Sequence, residues 1–197
     1  MPSETTAAQK RTLTSSELEQ GRVFLKQSHN GVAGAVRGLS DAQWKFKPEP
    51  AWSIAEIVDH IIMVQSRILG PVREMIAAAP DAPPDRDYAH GDAVAINYVS
   101  NRLAKFQVPE PIRPSGSLSV PEALDLLNQN LARLLEYLES GADLRRGIIP
   151  SPPLKAISNG AVEVMDGYQS ILVTAGHTER HTKQILEVKA DPNFPEK

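Results

Sequence analysis

The chain has 197 residues, of which 41% are hydrophobic and 23% are charged, a balance typical of a soluble globular protein. Its formal net charge of -3 argues against an electrostatic surface for DNA, RNA or anionic lipid. Because there are no cysteines, disulfides, thiolate metal ligands and cysteine nucleophiles are excluded, and a cytoplasmic location is expected. No apolar stretch resembles a signal peptide or approaches the roughly 18 residues of a membrane span.

The predicted organisation is one helical domain between two short tails. Residues 1–13 are polar and lack periodicity, so we expect a flexible N-terminal segment. The domain is predicted to cover residues 14–190. Residues 191–197 are expected to form a C-terminal tail, because Asp191 and Pro192 stop the last helix.

Three predicted helices begin with the same signature, a serine or threonine followed three residues later by glutamate, which is the spacing of a capping box. In chain order these pairs are Thr14 and Glu17, Ser53 and Glu56, and Ser119 and Glu122. Apolar residues then recur at helical spacing. These three helices are predicted to end near Gly38, Ala79 and Gly141.

A fourth helix is predicted from about Ala161 to Ala190. The proline-rich connection 80–118 is expected to contain one short helix, and residues 142–160 are expected to be irregular. That short helix would use Ala93, Ile96, Val99 and Leu103. No strand pair is predicted. The pattern indicates an all-α protein, a four-helix bundle with long connections after helices two and three.

Two of the five histidines lie four residues apart in the last predicted helix, within the segment GHTERHTKQI. Residues at this spacing share a helix face, with Cβ atoms about 5–6 Å apart. His177 and His181 can therefore reach one metal ion together, as two histidines do on metalloprotease helices. Val173 and Ile185 lie on the same face, so the pair is expected to point into the bundle.

His60 is the predicted third ligand, since it lies at the edge of the apolar stripe of the second helix. Helices that pack about 8–10 Å apart would bring this imidazole to the histidine pair. Three neutral nitrogens at about 2.0–2.1 Å, with the fourth position open, form a catalytic type of metal site.

Zinc would acidify a water in that position toward a pKa of about 7. Protonation of the histidines should release the metal below about pH 6.5.

Ordinary structural roles compete with this interpretation. A histidine pair at this spacing also arises by chance, and a single histidine on an apolar face is more often a hydrogen-bonded core residue. Glu56 is explained by its capping box, and Asp59 and Gln184 neighbour the histidines without an assignable role. Packing roles are expected for Trp44 and Trp52, and solvated or paired surface positions for Glu179 and Arg180. His29 and His90 are interpreted as ordinary histidines, although His90 lies in the long connection and could approach the site. No Glu-x-x-His or Gly-x-Ser-x-Gly motif occurs, which argues against di-iron and Ser-His-Asp sites.

Two segments resemble the DinB-like (DinB/YfiT-like) superfamily: GLSDAQWKFKPEPAWSIAEIVDH, which ends at His60, and GHTERHTKQILEVK. The resemblance covers about residues 15 to 190. It implies a four-helix bundle of the DinB/YfiT-like type, with one histidine from the second helix and two from the fourth around a divalent ion. These histidines correspond to His60, His177 and His181. The ion in similar proteins is zinc, nickel, iron or manganese, and dimers are common, so a homodimer is expected.

The leading functional hypothesis is a metal-dependent enzyme that acts on a small-molecule substrate as a thiol S-transferase or a hydrolase. Some similar proteins use low-molecular-weight thiols such as bacillithiol or mycothiol, and others are described as hydrolases. The alternative is a non-enzymatic bundle that binds a small ligand or dimerises, with a structural or vestigial metal site. Neither the resemblance nor the charge supports binding to nucleic acid or to a membrane.

Overall fold

The computed structural model describes residues 12–102 and 113–196. Its α-helices are α1 (Ser15–Val36), α2 (Asp41–Lys45), α3 (Ile54–Arg67), α4 (Arg73–Ala78), α5 (Tyr88–Asn97), α6 (Val120–Glu139), α7 (Pro152–Ile157) and α8 (Gly167–Lys189). Strands β1 (Ile149–Pro150) and β2 (Val164–Met165) pair antiparallel. The prediction of an all-α fold is confirmed. Within these ranges, none of the helices combines the length and the apolar character that crossing a membrane requires.

Each of the three predicted capping boxes is present. The hydroxyls of Thr14, Ser53 and Ser119 accept the N–H of the glutamate three residues later, at 3.2, 3.2 and 3.4 Å. In return, the glutamate carboxylates accept the N–H of the capping residues at 2.7, 2.8 and 2.8 Å. Local side-chain chemistry therefore fixes where α1, α3 and α6 begin.

The second predicted helix continues from Ile54 to Ala78, but its geometry changes midway. A π-helical turn, Ile68–Val72, lies between α3 and α4 and contains Pro71. A proline has no backbone N–H, and its ring collides with the carbonyl one α-helical turn earlier. The wider π turn accommodates the proline, so the chain remains helical nearly to the predicted end at Ala79.

The fourth helix begins later than predicted, at Gly167 and not near Ala161, because Asp166 caps it. The Asp166 carboxylate accepts the N–H of Gln169 at 2.7 Å, and the Gln169 side-chain oxygen accepts the Asp166 N–H at 3.2 Å. The sequence interpretation missed this capping box. Residues 164–165 form strand β2, so the expectation that no strands pair was wrong.

The connections contain more helix than predicted. Helix α5 confirms a short helix between residues 80 and 118, whereas Leu103 lies outside the described residues. Helix α7 occupies a stretch that was expected to be irregular, and α2 lies in the connection between the first two predicted helices. Each of them follows a serine, Ser40 or Ser151, whose hydroxyl accepts a backbone N–H of the first turn. Capping again explains why these short helices form.

The four longest helices contact one another in pairs. Helix α1 contacts α8 and α6, and α3 contacts the same two helices. Two clusters of apolar side chains fill the spaces between helices. Along α8, Leu172 and Ala175 belong to one cluster and Ile185 belongs to the other. His177 and His181 therefore lie in the part of α8 between the two apolar clusters.

A buried chain of hydrogen bonds joins three helices next to this part of α8. The side-chain amide of Gln65 on α3 donates to the Thr178 hydroxyl on α8 at 3.3 Å, and its oxygen accepts from Asn130 on α6 at 3.1 Å. All three residues are buried. Buried polar groups are costly without partners, so these bonds favour one alignment of α3 on α8. Thr178 directly follows His177.

A second polar cluster, centred on Arg145, ties the connection after α6 to three helices. The Arg145 side chain is fully buried, with 0% of its surface exposed. It donates to both oxygens of Asp92 on α5 at 2.9 and 2.6 Å, to Asp166 at 2.9 Å and to Glu17 on α1 at 2.6 Å. One cation thus holds together α1, α5 and the start of α8.

We expect Arg145→Met to lower the free energy of unfolding by about 3–5 kcal/mol, because buried carboxylates would lose the cation that compensates them. Denaturant-induced unfolding monitored by circular dichroism measures the loss. Arg146→Met is the matched control, since the neighbouring side chain is 51% exposed. The control should change stability by less than about 1 kcal/mol. Equal effects of the two substitutions would contradict the assigned role of Arg145.

Candidate metal centre

The three candidate ligands come from two helices that pack against each other. His60 lies on α3, and His177 and His181 lie one turn apart on α8. The centroids of the three imidazole rings are 5.0, 4.8 and 4.4 Å apart. The structure therefore brings His60 together with a histidine pair that lies more than a hundred positions further along the sequence.

The spacing of the ring nitrogens suits a single ion. Nε2 of His60 and Nε2 of His177 lie 3.2 Å apart. Two nitrogens bound tetrahedrally at about 2.0–2.1 Å from one ion would be about 3.3 Å apart. One nitrogen from each of the three histidines lies within 4.8 Å of the others, and histidines alone make up this cluster among the described residues. These residues could hold a metal ion after a small movement of the third ring.

Burial keeps two of the three rings neutral. His60 and His181 are 3% and 8% exposed, and His177 is partly buried. Burial, followed by the neighbouring imidazoles of His181 and His60, lowers the pKa of His177 well below its usual 6.5. Burial also lowers the pKa of His181 to about 3, with His60 as the next cause. At pH 7 the imidazoles of His177 and His181 are therefore neutral, and each has a lone pair for a metal.

Two side chains contact the rings from outside the triad. The Trp52 ring lies edge-on to His60, with centroids 5.3 Å apart. The Nδ1 atom of His181 lies 2.8 Å from the side-chain oxygen of Gln184, one turn further along α8. Trp52 was expected only to pack, and Gln184 had no assignable role. The three-residue spacing from His181 to Gln184 was the available signal, because residues at that spacing are neighbours on a helix.

Helix α5 closes one side of α8 beside the histidine pair. A Cβ atom placed on Gly176 would lie 3.0 Å from Cβ of Val99 and 3.1 Å from the carbonyl oxygen of Ala95. A larger residue at this position would therefore push α5 and the residues that follow it away from α8. The glycine immediately before His177 thus permits close packing next to the candidate centre.

Other polar residues considered from the sequence lie outside the triad. Glu56 serves its capping box and pairs with Lys47 at 2.7 Å. The Asp59 carboxylate accepts the N–H of Ser115 at 2.8 Å, which fastens the chain before α6 to α3. His90 is exposed on α5. His29 is buried on α1 and does not belong to the cluster of ligand atoms.

The packing role expected for Trp44 is confirmed, because this side chain is 1% exposed and its indole N–H donates to the carbonyl of Leu118 at 2.7 Å. Glu179 pairs at the surface with Lys183 at 3.2 Å, as expected.

The expectation that Arg180 lies at the surface was wrong. Only 8% of this residue is exposed. Burial lowers the pKa of its guanidinium, and repulsion from Arg102 lowers it further. The charge of Arg180 also contributes to the lowered pKa values of His177 and His181. Nothing in the sequence indicated that Arg180 is buried, because charged side chains are rarely buried.

Comparison with protein families gives a match to the model of the DinB superfamily over residues 25–185. The matched region contains all three histidines and most of the described helices. The chain therefore belongs to the DinB superfamily. Comparisons with curated proteins and with solved structures give no match.

The neutral histidines should make the stability of the metal-free protein depend on pH. In the unfolded chain a histidine has a pKa of about 6.5, whereas the pKa of His181 in the fold is about 3. Below pH 6.5 the unfolded chain therefore binds protons that the folded chain does not, so stability falls as the pH falls. Each such histidine contributes a slope of up to about 1.4 kcal/mol per pH unit.

Denaturant titrations of metal-free protein between pH 7.5 and 5 measure this slope, and His181→Gln should reduce it. His90→Gln is the control, because that ring is exposed. An unchanged slope in His181→Gln would contradict the lowered pKa. The same shift revises the expected loss of metal below pH 6.5: His181 stays neutral at lower pH in the folded protein, so release of a bound ion would move downward.

Proposed function

We propose that this chain is a metal-dependent enzyme in which His60, His177 and His181 hold one divalent ion. The observation that carries the proposal is the convergence of the three imidazoles, with ligand nitrogens within 4.8 Å of one another, in a largely buried part of the chain. Imidazole ligands suit zinc, nickel and iron, and manganese is the fourth candidate.

The proposed ligand set leaves a coordination position of the ion open to a reacting group. Three protein ligands leave a tetrahedral ion one further position. Imidazoles are neutral, so they preserve the positive charge of the ion, which carboxylates would partly cancel. When bound, the ion lowers the pKa of a water or thiol in that position and makes it a nucleophile at neutral pH. The chain itself keeps the His177 and His181 rings neutral and holds all three rings in place, and Trp52 and α5 contribute to their shielding.

The proposed reaction is thiol S-transfer or hydrolysis of a small-molecule substrate. In S-transfer the thiol loses its proton, its sulfur bonds to the electrophilic atom, and the leaving group departs with its electron pair. In hydrolysis the oxygen of water takes the place of sulfur. The positive charge of Arg180, which contributes to the lowered pKa of His181, favours an anionic nucleophile in either case. A low-molecular-weight thiol partner, a homodimer and a cytoplasmic location belong to the same proposal.

We expect His177→Ala to reduce bound metal to background and to abolish turnover while the helical fold is retained, because two imidazoles bind a divalent ion far more weakly than three. Metal content is measured by mass spectrometry on protein without a histidine tag, after reconstitution with zinc, nickel, iron or manganese. Turnover is measured with electrophiles and several low-molecular-weight thiols, beside a panel of hydrolase substrates.

His90→Ala is the matched control, because this histidine is exposed on α5 and lies outside the triad. It should bind metal and turn over substrate as the wild type does. Metal binding by His177→Ala at wild-type affinity would remove the proposed centre. Stoichiometric metal without turnover in either panel would favour the non-enzymatic alternative.

A further inference from the structure

Gln184 links the triad to a cation outside it. Its side-chain oxygen lies 2.8 Å from Nδ1 of His181 and 3.3 Å from Nη1 of Arg102. Arg102 belongs to the chain that follows α5, so this contact crosses from that segment to α8. The oxygen of one amide is therefore shared by a candidate metal ligand and by a guanidinium.

The guanidinium fixes which way the amide points. Arginine has only donors, so the Gln184 atom that it contacts must be the oxygen and not the NH2 group. The opposite orientation would place N–H groups of both side chains against each other. Arg102 is itself held in place, because its Nε and Nη2 donate to the two oxygens of Glu187 at 2.7 and 2.8 Å. This two-point contact directs Nη1 toward Gln184.

The orientation of the amide in turn selects the tautomer of His181. A neutral imidazole carries one proton, on Nδ1 or on Nε2. Because the Gln184 oxygen can only accept, the proton of neutral His181 lies on Nδ1. The Nε2 atom then keeps its lone pair for the cluster formed with His60 and His177. Histidine ligands commonly donate their other N–H to an oxygen in this way, which orients the ring and increases its basicity.

We propose that Gln184 and Arg102 are positioning residues that hold His181 as the Nδ1–H tautomer, with Nε2 available for the shared ion. Glu187 supports the pair by holding the Arg102 guanidinium. The tautomer can be tested in metal-free protein, whereas the consequence for metal affinity rests on the proposed function. The tautomer assignment and the effect on metal affinity can therefore be disproved separately.

The first test is the tautomer. Nitrogen-15 chemical shifts of the His181 ring, recorded by NMR on metal-free protein at pH 7.5, should show the proton on Nδ1. Gln184→Met, which has a similar length and offers no amide oxygen, should lose this preference. Gln184→Glu keeps an acceptor at the same place and should restore it. A wild-type His181 with its proton on Nε2 would overturn the inference, whatever the protein binds.

The second test is zinc affinity, measured by competition with a chromophoric chelator. Gln184→Met should weaken zinc binding by about 10–100-fold, the usual effect of losing such a partner. Gln184→Glu should bind zinc at least as tightly as the wild type does. Arg102→Met should weaken binding by less, because Gln184 can still contact His181. Circular dichroism checks each fold, and Gln184→Glu and Arg102→Met decide the outcome if Gln184→Met does not fold.

Arg22→Met is the matched control for loss of an arginine–glutamate pair. Arg22 donates to Glu139 at 2.9 Å and is 34% exposed, compared with 29% for Arg102, but it lies on α1. The Arg22→Met variant should bind zinc with the same affinity as the wild type. Equal affinities for wild type, Gln184→Met and Arg102→Met would overturn the positioning role while leaving the metal centre intact. Absence of zinc binding in the wild type, with the Nδ1–H tautomer present, would overturn only the proposed function.

Discussion

The candidate centre depends on one constraint, the burial of imidazole nitrogens between two apolar clusters. A buried polar atom needs a partner, and protonation is disfavoured because burial lowers the pKa values of His177 and His181. For two of these nitrogens the partner at hand is another ring, since Nε2 of His60 and of His177 lie only 3.2 Å apart. A shared proton can serve one pair of nitrogens at a time, whereas a divalent ion can accept three lone pairs together. A metal therefore suits the arrangement better than a hydrogen-bonded set of core histidines does.

The place of the histidine pair depends on where α8 begins. Asp166 caps this helix and also accepts from the buried Arg145 at 2.9 Å, so the helix start is anchored on two sides. His177 follows about three helical turns later, and a rigid helix carries the register over that distance. Beside it, the bond between Gln65 and Thr178 aligns α3 with α8. The Arg145 cluster therefore contributes to the geometry of the centre without touching it.

The sequence was informative wherever a feature is determined by residues within a few positions of one another. Serine or threonine followed by glutamate located the starts of three helices, and the four-residue spacing indicated that His177 and His181 share a face. The start of α8 was missed because its cap, Asp166 with Gln169, follows a strand of two residues, too short for a periodic pattern. Burial of Arg180 and the contact of Arg102 with Gln184 depend on how α5 and α8 meet. Contacts between residues far apart in the chain produce no regular spacing that a single sequence could reveal.

The described ligand cluster differs in composition from a closed structural zinc site. A structural zinc site is closed by four protein ligands, often with thiolates that cancel the charge of the ion. Here the cluster contains histidines only, within the residues that the structure describes, and the charge of Arg180 contributes to the lowered pKa of His181. A cation beside a bound dication would weaken its binding until an anion joins them. Under the proposed function, the same cation would stabilise a thiolate or a hydroxide in the open position. Such an arrangement would exchange metal affinity for affinity toward an anionic nucleophile, which favours the proposed enzyme over a merely structural ion.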